Sequence, residues 1–230
     1  MAQLDSIDLL KPKLETLQKG SLRVAAFQGF APFAWREGSE ARGKDIAFLR
    51  LFAESEQLEL DVEFHDFDRL WELPEKGQVD IAASGISLMP DKRCSPVAWS
   101  TPYSNVRRTL LIRTEEQDRF QGMEDLAFAR LAVVASSAAH GHATETLPQT
   151  ASLSFCETLD QGIDDLLNGQ VDAVGTGDVS ARHHVAAREG LAMVDVHRAR
   201  SPEYISFAVR PTGTLLDRLN AFIEAHATRY

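Results

Sequence analysis

The residues best suited to chemistry follow a short apolar run, IAAS, at positions 81–84. The run breaks at Ser84 and Gly85, Ser87 then supplies a hydroxyl, and Arg93 lies a little further along the chain. Small and β-branched residues in such a run are typical of a buried parallel strand, and open α/β sheets bind ligands at the carboxyl ends of their strands. Because an arginine fork can hold a carboxylate through two hydrogen bonds, the pattern favours a small-carboxylate site. An ordinary strand-to-helix turn with a surface arginine remains the alternative at this point.

The composition excludes several other classes of function. The chain of 230 residues has 34 acidic and 24 basic side chains, a net charge of -10 at pH 7. We expect no nucleic-acid partner, because there is no basic patch to neutralise phosphates. No apolar run approaches the roughly 18 residues of a membrane-spanning helix, and no signal peptide is visible. Either the protein is cytoplasmic or the sequence is that of a mature or excised domain.

The cysteines, Cys94 and Cys156, allow at most one disulfide and do not have the spacing of a cysteine zinc site. Both lie in apolar or strand-flanking contexts, so we interpret them as free, partly buried thiols. The sequence predicts no metal and no cofactor.

The first half of the chain predicts alternating strands and helices. Leucines at helical spacing from Leu4 to Leu17 predict an N-terminal helix. Strands follow at 22–26 and 58–64 and in the opening stretch near 80–84, separated by helices at 43–53 and from 66 to 73. This β-α-β-α-β order is the signature of an α/β fold with a parallel sheet between helices.

The second half repeats that pattern. After extended segments at 97–103 and 108–113, strands are predicted at 130–135, 151–155 and 171–174, and helices after 142, at 159–167 and from 178 to 186. The sequences GQVDIA at 77–82 and GQVDAV at 169–174 each precede a turn rich in Gly, Ser or Thr. The two halves therefore look built alike.

The C-terminal part supplies one strand at 204–209 and one helix at 215–225, which is too little for a third domain. We expect it to return to the first half. The predicted lobe one comprises residues 1–105 and 206–230, and lobe two residues 106–205. The chain then crosses between lobes near 103–107 and 201–205, which makes a two-stranded hinge beside a cleft.

Several motifs occur in a characteristic order: GFAPF at 29–33, GKDI at 43–46, GQVDIAASGIS at 77–87, PDKR at 90–93 and WSTPY at 99–103. With GQVDAV and ISFAV (205–209), they resemble the family 3 solute-binding proteins, the polar amino-acid binders of ABC importers. The resemblance extends from about residue 20 to the C-terminus. It implies the two-lobe, type II periplasmic-binding-protein-like fold, in which α/β lobes close on a small ligand.

The resemblance also implies a ligand site, carried over by position. Arg93 would hold the ligand α-carboxylate with help from Ser87 and the backbone of Ser84, Gly85 and Ile86. Phe30 and Phe67 would sandwich the ligand side chain. In lobe two, the loop containing Ser136, Ser137 and Ala138 would offer amides from a helix N-terminus. The turn at Gly177 and Asp178 would meet the ligand amine.

This sequence departs from the family pattern at several places, among them Ala138 and Ala139, where hydroxyls or Gly are common. Counting forward from Pro90 puts the arginine position at Lys92, whereas counting back from Trp99 puts it at Arg93, which we assign for its bidentate geometry. Amino-acid binders usually place an aspartate where this chain has Gly177. A second family acid, near the first loop, is Phe27 here. An ammonium buried without an anionic acceptor loses about 1–3 kcal/mol, so the amine half of the site looks incomplete unless Asp178 substitutes.

We therefore expect a non-enzymatic protein that closes on a small carboxylate, an amino acid in the first instance, for ABC import. A ligand-sensing domain of a larger membrane receptor or channel and a binder of an amine-less carboxylate are the alternatives. An enzyme resembling cyclohexadienyl dehydratase is a weaker alternative, because no cleft-facing Glu can be nominated as proton donor. The expected partners are the ligand and a membrane permease or fused membrane protein. We expect a monomer in the periplasm or outside the cell.

Overall fold

The computed structural model describes residues 13–88, 96–197 and 203–226. In chain order the strands are β1 (Ser21–Ala26), β2 (Gly29–Phe30), β3 (Ala34–Glu37), β4 (Glu40–Arg42), β5 (Glu59–Phe64), β6 (Ile81–Ala82), β7 (Ala98–Trp99), β8 (Ser104–Val106), β9 (Arg108–Arg113), β10 (Arg130–Val134), β11 (Ser152–Cys156), β12 (Ala173–Gly177), β13 (Leu191–Asp195), β14 (Glu203–Ile205) and β15 (Ala208–Val209). The helices are α1 (Lys44–Ser55), α2 (Ala138–Thr146), α3 (Leu159–Leu167), α4 (Asp178–Ala187) and α5 (Leu215–His226).

Lobe one is built on a five-stranded sheet in the order β5-β1-β6-β15-β7. Strand β1 runs parallel to β5 and β6, whereas β15 runs antiparallel to β6 and β7. Leu22 and Val24 of β1 are fully buried, and Phe52 of α1 and Leu219 of α5 belong to the same apolar cluster. The C-terminal strand and helix therefore complete the core of the lobe that the N-terminal half begins.

Lobe two is built on a second five-stranded sheet in the order β11-β10-β12-β9-β13. Strand β10 is parallel to β11 and β12, and β9 is antiparallel to β12 and β13. Helix α3 is strongly amphipathic and buries Leu159, Ile163 and Leu166 against this sheet. The predicted fold class, two α/β lobes with parallel sheets and flanking helices, is confirmed.

A two-stranded antiparallel sheet, β8 with β14, lies where the chain was predicted to cross between lobes. Asn105 pairs with Tyr204 at its centre. The exact lobe boundaries, 1–105 with 206–230 and 106–205, remain a prediction.

Several predicted elements are wrong or incomplete. The helix from 66 to 73 is only a 3-10 turn, Leu70–Glu72, because Arg69 adopts a left-handed backbone with φ 59° that a helix cannot contain. Much of the predicted N-terminal helix lies outside the described residues, and residues 13–16 form no helix. The segment 204–209 divides into β14 and β15, and the aromatic segment after β1 forms the small sheet β2-β3-β4.

The repeated Gly-Gln-Val-Asp sequence has the same structural task in both lobes. Asp80 accepts hydrogen bonds from the Arg23 amide (3.0 Å) and the Leu17 amide (3.0 Å). Asp172 accepts from the Arg130 amide at 2.8 Å. Arg23 lies in β1 and Arg130 begins β10, so each aspartate ties the start of its own strand, the central one of its sheet, to the neighbouring parallel strand.

Candidate functional site

A small cavity lies between the lobes beside the hinge, with about 40 Å³ open to the centre of a water molecule. Lobe one, lobe two and the hinge strands all contribute to its wall. Of the residues predicted for the ligand site, the structure brings together Phe30, Phe67, Gly85, Ser87, Ser137, Ala138 and Gly177 around it.

The lobe-one turn after β6 has a strained backbone, and Asp45 accepts hydrogen bonds from its amides. Ser84 has φ 109° and Gly85 has φ 60°, and a Cβ on Gly85 would come within 2.6 Å of the Phe33 ring. One carboxylate oxygen of Asp45 accepts from the amides of Ser84 (2.9 Å) and Gly85 (2.8 Å). Asp45 is fully buried, and burial raises the pKa of its carboxyl to about 6 although these two amides oppose the shift.

Those hydrogen bonds limit what Ser84 and Gly85 can offer a ligand. Their amides are committed to Asp45, and Ser84 Oγ accepts from the Phe27 amide at 2.7 Å and donates to the Phe27 carbonyl at 3.1 Å. Their role as ligand residues therefore rests on the shape of the turn rather than on their amides, and it stays a prediction.

The next residues join the turn to the hinge. Ser87 forms an isolated bridge with Ile205 of β14, and it lines the cavity. Ile86 is fully buried in an apolar cluster, and its carbonyl accepts from the Ser206 amide at 3.2 Å. Ser87 thus presents its side of the turn to the cavity, whereas the Ile86 side chain belongs to the core.

Phe30 and Phe67 meet edge to face, with ring centroids 4.8 Å apart. Phe27 completes the group, with its ring 5.1 Å from Phe30 and 5.5 Å from Phe67. Phe30 and Phe67 form one apolar wall of the cavity, and Phe27 packs against both rings. In this structure the two predicted aromatic partners contact each other directly, and the predicted sandwich remains a prediction.

In lobe two, the N-terminus of α2 points its first residues, Ala138 and Ala139, at the cavity. Ser137 caps the helix by accepting from the His140 amide at 3.2 Å. The Ser136 hydroxyl does not cap the helix, because it donates to Asp68 of lobe one at 2.6 Å. The Ser136–Asp68 contact therefore bridges the two lobes.

Gly177 ends β12 and precedes α4, at the cavity. The neighbouring Asp178 does not offer a free carboxylate, because it accepts from the Arg107 amide at 3.0 Å and from Arg182 at 2.7 Å. Burial opposes ionisation of Asp178, but these two donors prevail and lower its pKa. Its predicted contact with a ligand amine remains a prediction.

Arg108 was not predicted as a site residue, yet its side chain lines the cavity and is 6% exposed. Its Nε atom lies 3.0 Å from Glu203 Oε1. The two groups form an ion pair, but the N–H is not aligned for a hydrogen bond. Burial lowers the pKa of the guanidinium, while Glu203 and Asp178 act in the opposite direction. The alternation of β9 could have identified this residue, since it places Arg108 on the same face as Leu110 and Ile112.

The remaining predictions concern Arg93, the cysteines, metal binding and membrane spans. Arg93, the predicted carboxylate ligand, and Cys94 lie outside the described residues. Cys156 is buried and free, and burial raises the pKa of its thiol to about 11. Across the described segments, no group of three or more His, Cys, Asp or Glu is placed to hold a metal ion. In the same segments, no helix is long and apolar enough to cross a membrane.

Solved structures share this architecture. The amino acid ABC transporter substrate-binding protein AbpA from Streptococcus pneumoniae Canada MDR_19A, bound to L-arginine, is 26% identical with a TM-score of 0.83, covering 91% of this chain and 90% of that one. The arginine-bound, truncated ArgBP from T. maritima is 23% identical with a TM-score of 0.81, covering 91% and 97%. AncCDT-1, an ancestral amino acid-binding protein and precursor of cyclohexadienyl dehydratase, is 24% identical with a TM-score of 0.82, covering 91% of both chains. The last two likenesses show the fold alone.

Curated relatives and a family match agree with that likeness. The arginine-binding extracellular protein ArtP of Bacillus subtilis (strain 168) is 22% identical over 204 residues, 88% of this chain and 79% of ArtP. The glutamate-binding protein GluB of Corynebacterium efficiens is 26% identical over 157 residues, 66% of this chain and 53% of GluB. Residues 22–228 match the family described as bacterial extracellular solute-binding proteins, family 3. This chain belongs to that family.

Proposed function

We propose that this protein binds a small carboxylate, an amino acid or a related acid, between its lobes and delivers it to an ABC importer. The observation that carries the proposal is the cavity beside the hinge, whose wall combines Ser87 of lobe one, Val106 of the hinge and Ala138 of lobe two. A ligand held by both lobes stabilises their closed arrangement, and a permease can distinguish that arrangement from the open one.

The chemistry of the wall suits an anion. Ser87 offers a hydroxyl, the N-terminus of α2 offers amides and a positive dipole end, and Arg108 offers a guanidinium. Arg93, which we assign as the carboxylate ligand from the family resemblance, would add a bidentate partner. Among the described residues that line the cavity there is no Asp or Glu, which supports binding rather than acid-catalysed chemistry.

Relatives support the proposed partner and location. AbpA is named as an amino acid ABC transporter substrate-binding protein, and ArtP is named as an extracellular protein. We propose accordingly that this chain works outside the cytoplasmic membrane and presents its ligand to a membrane permease.

A thermal-shift screen tests the proposal. The panel contains the twenty standard amino acids together with their 2-oxo counterparts and small dicarboxylic acids, and calorimetric titration measures every acid that raises Tm. We expect at least one acid to raise Tm by several degrees and to bind with 1:1 stoichiometry. If no acid in the panel binds, the proposal is wrong.

The Arg93→Ala variant tests the predicted carboxylate ligand. We expect loss of a bidentate, charge-assisted partner to weaken binding of the acid found in the screen by about a hundredfold. Unfolding by urea should be nearly unchanged. Lys92→Ala is the matched control, because it removes one positive charge from the adjacent position. A larger loss in Lys92→Ala than in Arg93→Ala would move the assignment to Lys92.

A further inference from the structure

The feature that the family resemblance does not account for is a buried cation in the ligand cavity. Arg108 starts β9, directly after the hinge, and its side chain lines the cavity with 6% of the residue exposed. Its backbone amide donates to His197 Nδ1 at 3.1 Å, which fixes the start of the strand. A guanidinium has five N–H donors and no acceptor, so it needs oxygen partners when buried.

Gly177 leaves the space that this guanidinium uses. A Cβ added at Gly177 would lie 3.3 Å from Arg108 Nη2 and 3.5 Å from Val106 Cβ. A Cβ at position 177 would require the end of the Arg108 side chain to shift by a few tenths of an ångström. Gly177 has φ -95°, a conformation open to every residue, so the backbone does not require a glycine there.

The charges around Arg108 leave its outer nitrogens available to a ligand. Glu203 contacts the Nε side at 3.0 Å and does not line the cavity. Asp178 is occupied by the Arg107 amide and by Arg182. In the described part of the chain, no hydrogen bond from Arg108 Nη1 or Nη2 to a protein acceptor is present. The cavity thus faces donors of a positively charged group.

We propose that Arg108 selects a small acid whose second polar group is an acceptor oxygen, such as a 2-oxo acid, and rejects acids that place an ammonium there. This inference rests on the proposed function and narrows its ligand class. A carbonyl oxygen accepts from the guanidinium, whereas an ammonium brings a like charge to the same place and has no lone pair to offer.

Ligands matched at the carbon beside the carboxylate provide the first test. The wild-type protein is titrated with L-glutamate, 2-oxoglutarate and glutarate, and with L-alanine, pyruvate and propionate. We expect the 2-oxo acid of at least one series to bind at least tenfold more tightly than its amino acid, with the plain acid between them. Tighter binding of the amino acid in every series that binds would overturn this inference and leave the proposed function intact. If nothing binds in a wider carboxylate screen, both fail.

Charge-removing variants test whether Arg108 is the cause. Arg108→Met should reduce the 2-oxo preference at least tenfold. Arg107→Met is the matched control, because Arg107 is the preceding residue and its side chain is 55% exposed against Asp195. We expect this control to keep the wild-type preference. An Arg108→Met protein that keeps the preference would overturn the proposal.

Replacing Arg108 leaves the Glu203 carboxylate without its partner, so a double variant is the control for folding. If Arg108→Met does not fold, the double variant Arg108→Met with Glu203→Gln removes both charges, and we expect it to fold and to lose the preference.

In Gly177→Asp, a carboxylate beside Arg108 Nη2 should neutralise the guanidinium and favour L-glutamate over 2-oxoglutarate about tenfold more than in wild type. Gly177→Asn controls for size. Equal selectivity of the Asp and Asn variants, or a preserved preference in the double variant, would contradict the proposal.

Discussion

Asp80 in lobe one and Asp172 in lobe two begin equivalent segments, and the turns that follow them differ. Both aspartates follow Gly-Gln-Val and both accept from the first part of a neighbouring parallel strand. After Asp80 the chain enters a strained turn anchored by Asp45. After Asp172 it reaches Gly177, whose lack of a side chain admits Arg108. The structural part of the repeat is shared, and the part that faces the cavity is specific to each lobe.

The surroundings of the two aspartates also differ. Asp80 is fully buried, and Arg210 lies beside it with Nε 3.4 Å from Oδ1. Asp172 pairs with Arg130 at 2.8 Å, but that arginine side chain is 47% exposed. Water can therefore replace Asp172 around Arg130 more easily than it can replace Asp80 around its partners. Equivalent sequence positions need not contribute equally to stability.

The pair of variants Asp80→Ala and Asp172→Ala tests this difference. Asp80→Ala removes the acceptor of two amides and the partner of a mostly buried arginine, so we expect a loss of about 3–5 kcal/mol in the free energy of unfolding. Asp172→Ala should lose only about 1–2 kcal/mol, because Arg130 regains water and the mostly buried Arg113, 3.6 Å from Asp172, keeps Glu116 and two carbonyl oxygens as partners. Urea unfolding followed by circular dichroism measures both. Equal losses would contradict the claim that burial separates the two repeats.

Asp45 distinguishes the lobe-one turn by its response to pH. Its pKa is raised from 3.8 to about 6, so the folded protein favours the protonated form. The stability that this group contributes is fully present below about pH 4 and is lost as pH rises through 6. The shift corresponds to about 3 kcal/mol at neutral pH. Asp45→Asn should remove this dependence, because an amide oxygen can accept from Ser84 and Gly85 at every pH.

The measurement is the difference in unfolding free energy between Asp45→Asn and wild type from pH 4 to pH 7. The difference cancels the titration of other groups, and we expect it to move in favour of the variant by roughly 2–3 kcal/mol as pH rises. Asp66→Asn, at an exposed aspartate of the same lobe, is the matched control for removing a carboxylate that is not buried. A flat difference for Asp45→Asn would mean that the carboxyl is ionised throughout.

Secondary structure could be predicted from the sequence where the local apolar pattern agrees with the tertiary packing. Helix α3 was predicted with its observed bounds, because its apolar spacing matches the face it buries. The predicted helix at 66–73 was wrong, because the left-handed Arg69 and the packing of Phe67 against Phe27 override its helical pattern. The contact between Phe67 and Phe27 joins residues that are distant in sequence, so periodicity cannot show it.

The site likewise contains residues that local sequence patterns can locate and residues that depend on tertiary contacts. The turn at Ser84 and Gly85 could be located from its glycine and hydroxyl residues alone. The alternation of β9 places Arg108 on the face of Leu110 and Ile112, but its contact with the cavity depends on Glu203, a residue far along the chain, and on the space at Gly177. A charged residue at the start of a strand is ordinarily exposed. Only the pairing of β8 with β14 in the hinge brings Glu203 close to Arg108.

The contact between Asp68 and Ser136 offers the finest test of how the two lobes cooperate. Ser136 Oγ donates to Asp68 Oδ1 at 2.6 Å, and these residues belong to opposite lobes. A hydrogen bond of this kind at a partly exposed site contributes about 1 kcal/mol, and we expect separation of the lobes to break it. Asp68→Ala should therefore weaken ligand binding about threefold to fivefold through a smaller closed population. Unfolding free energy should stay within about 0.5 kcal/mol of wild type.

Calorimetric titration of Asp68→Ala, Ser136→Ala and the double variant measures that coupling with whichever acid the screen identifies. If the two residues act only through their mutual hydrogen bond, the double variant binds about as weakly as either single variant. Asp66→Ala removes a negative charge two residues earlier and should bind as wild type does. Additive losses in the double variant would show that Asp68 and Ser136 influence closure independently. Because neither residue lines the cavity, a coupled loss would separate the free energy of closing the lobes from that of contacting the ligand.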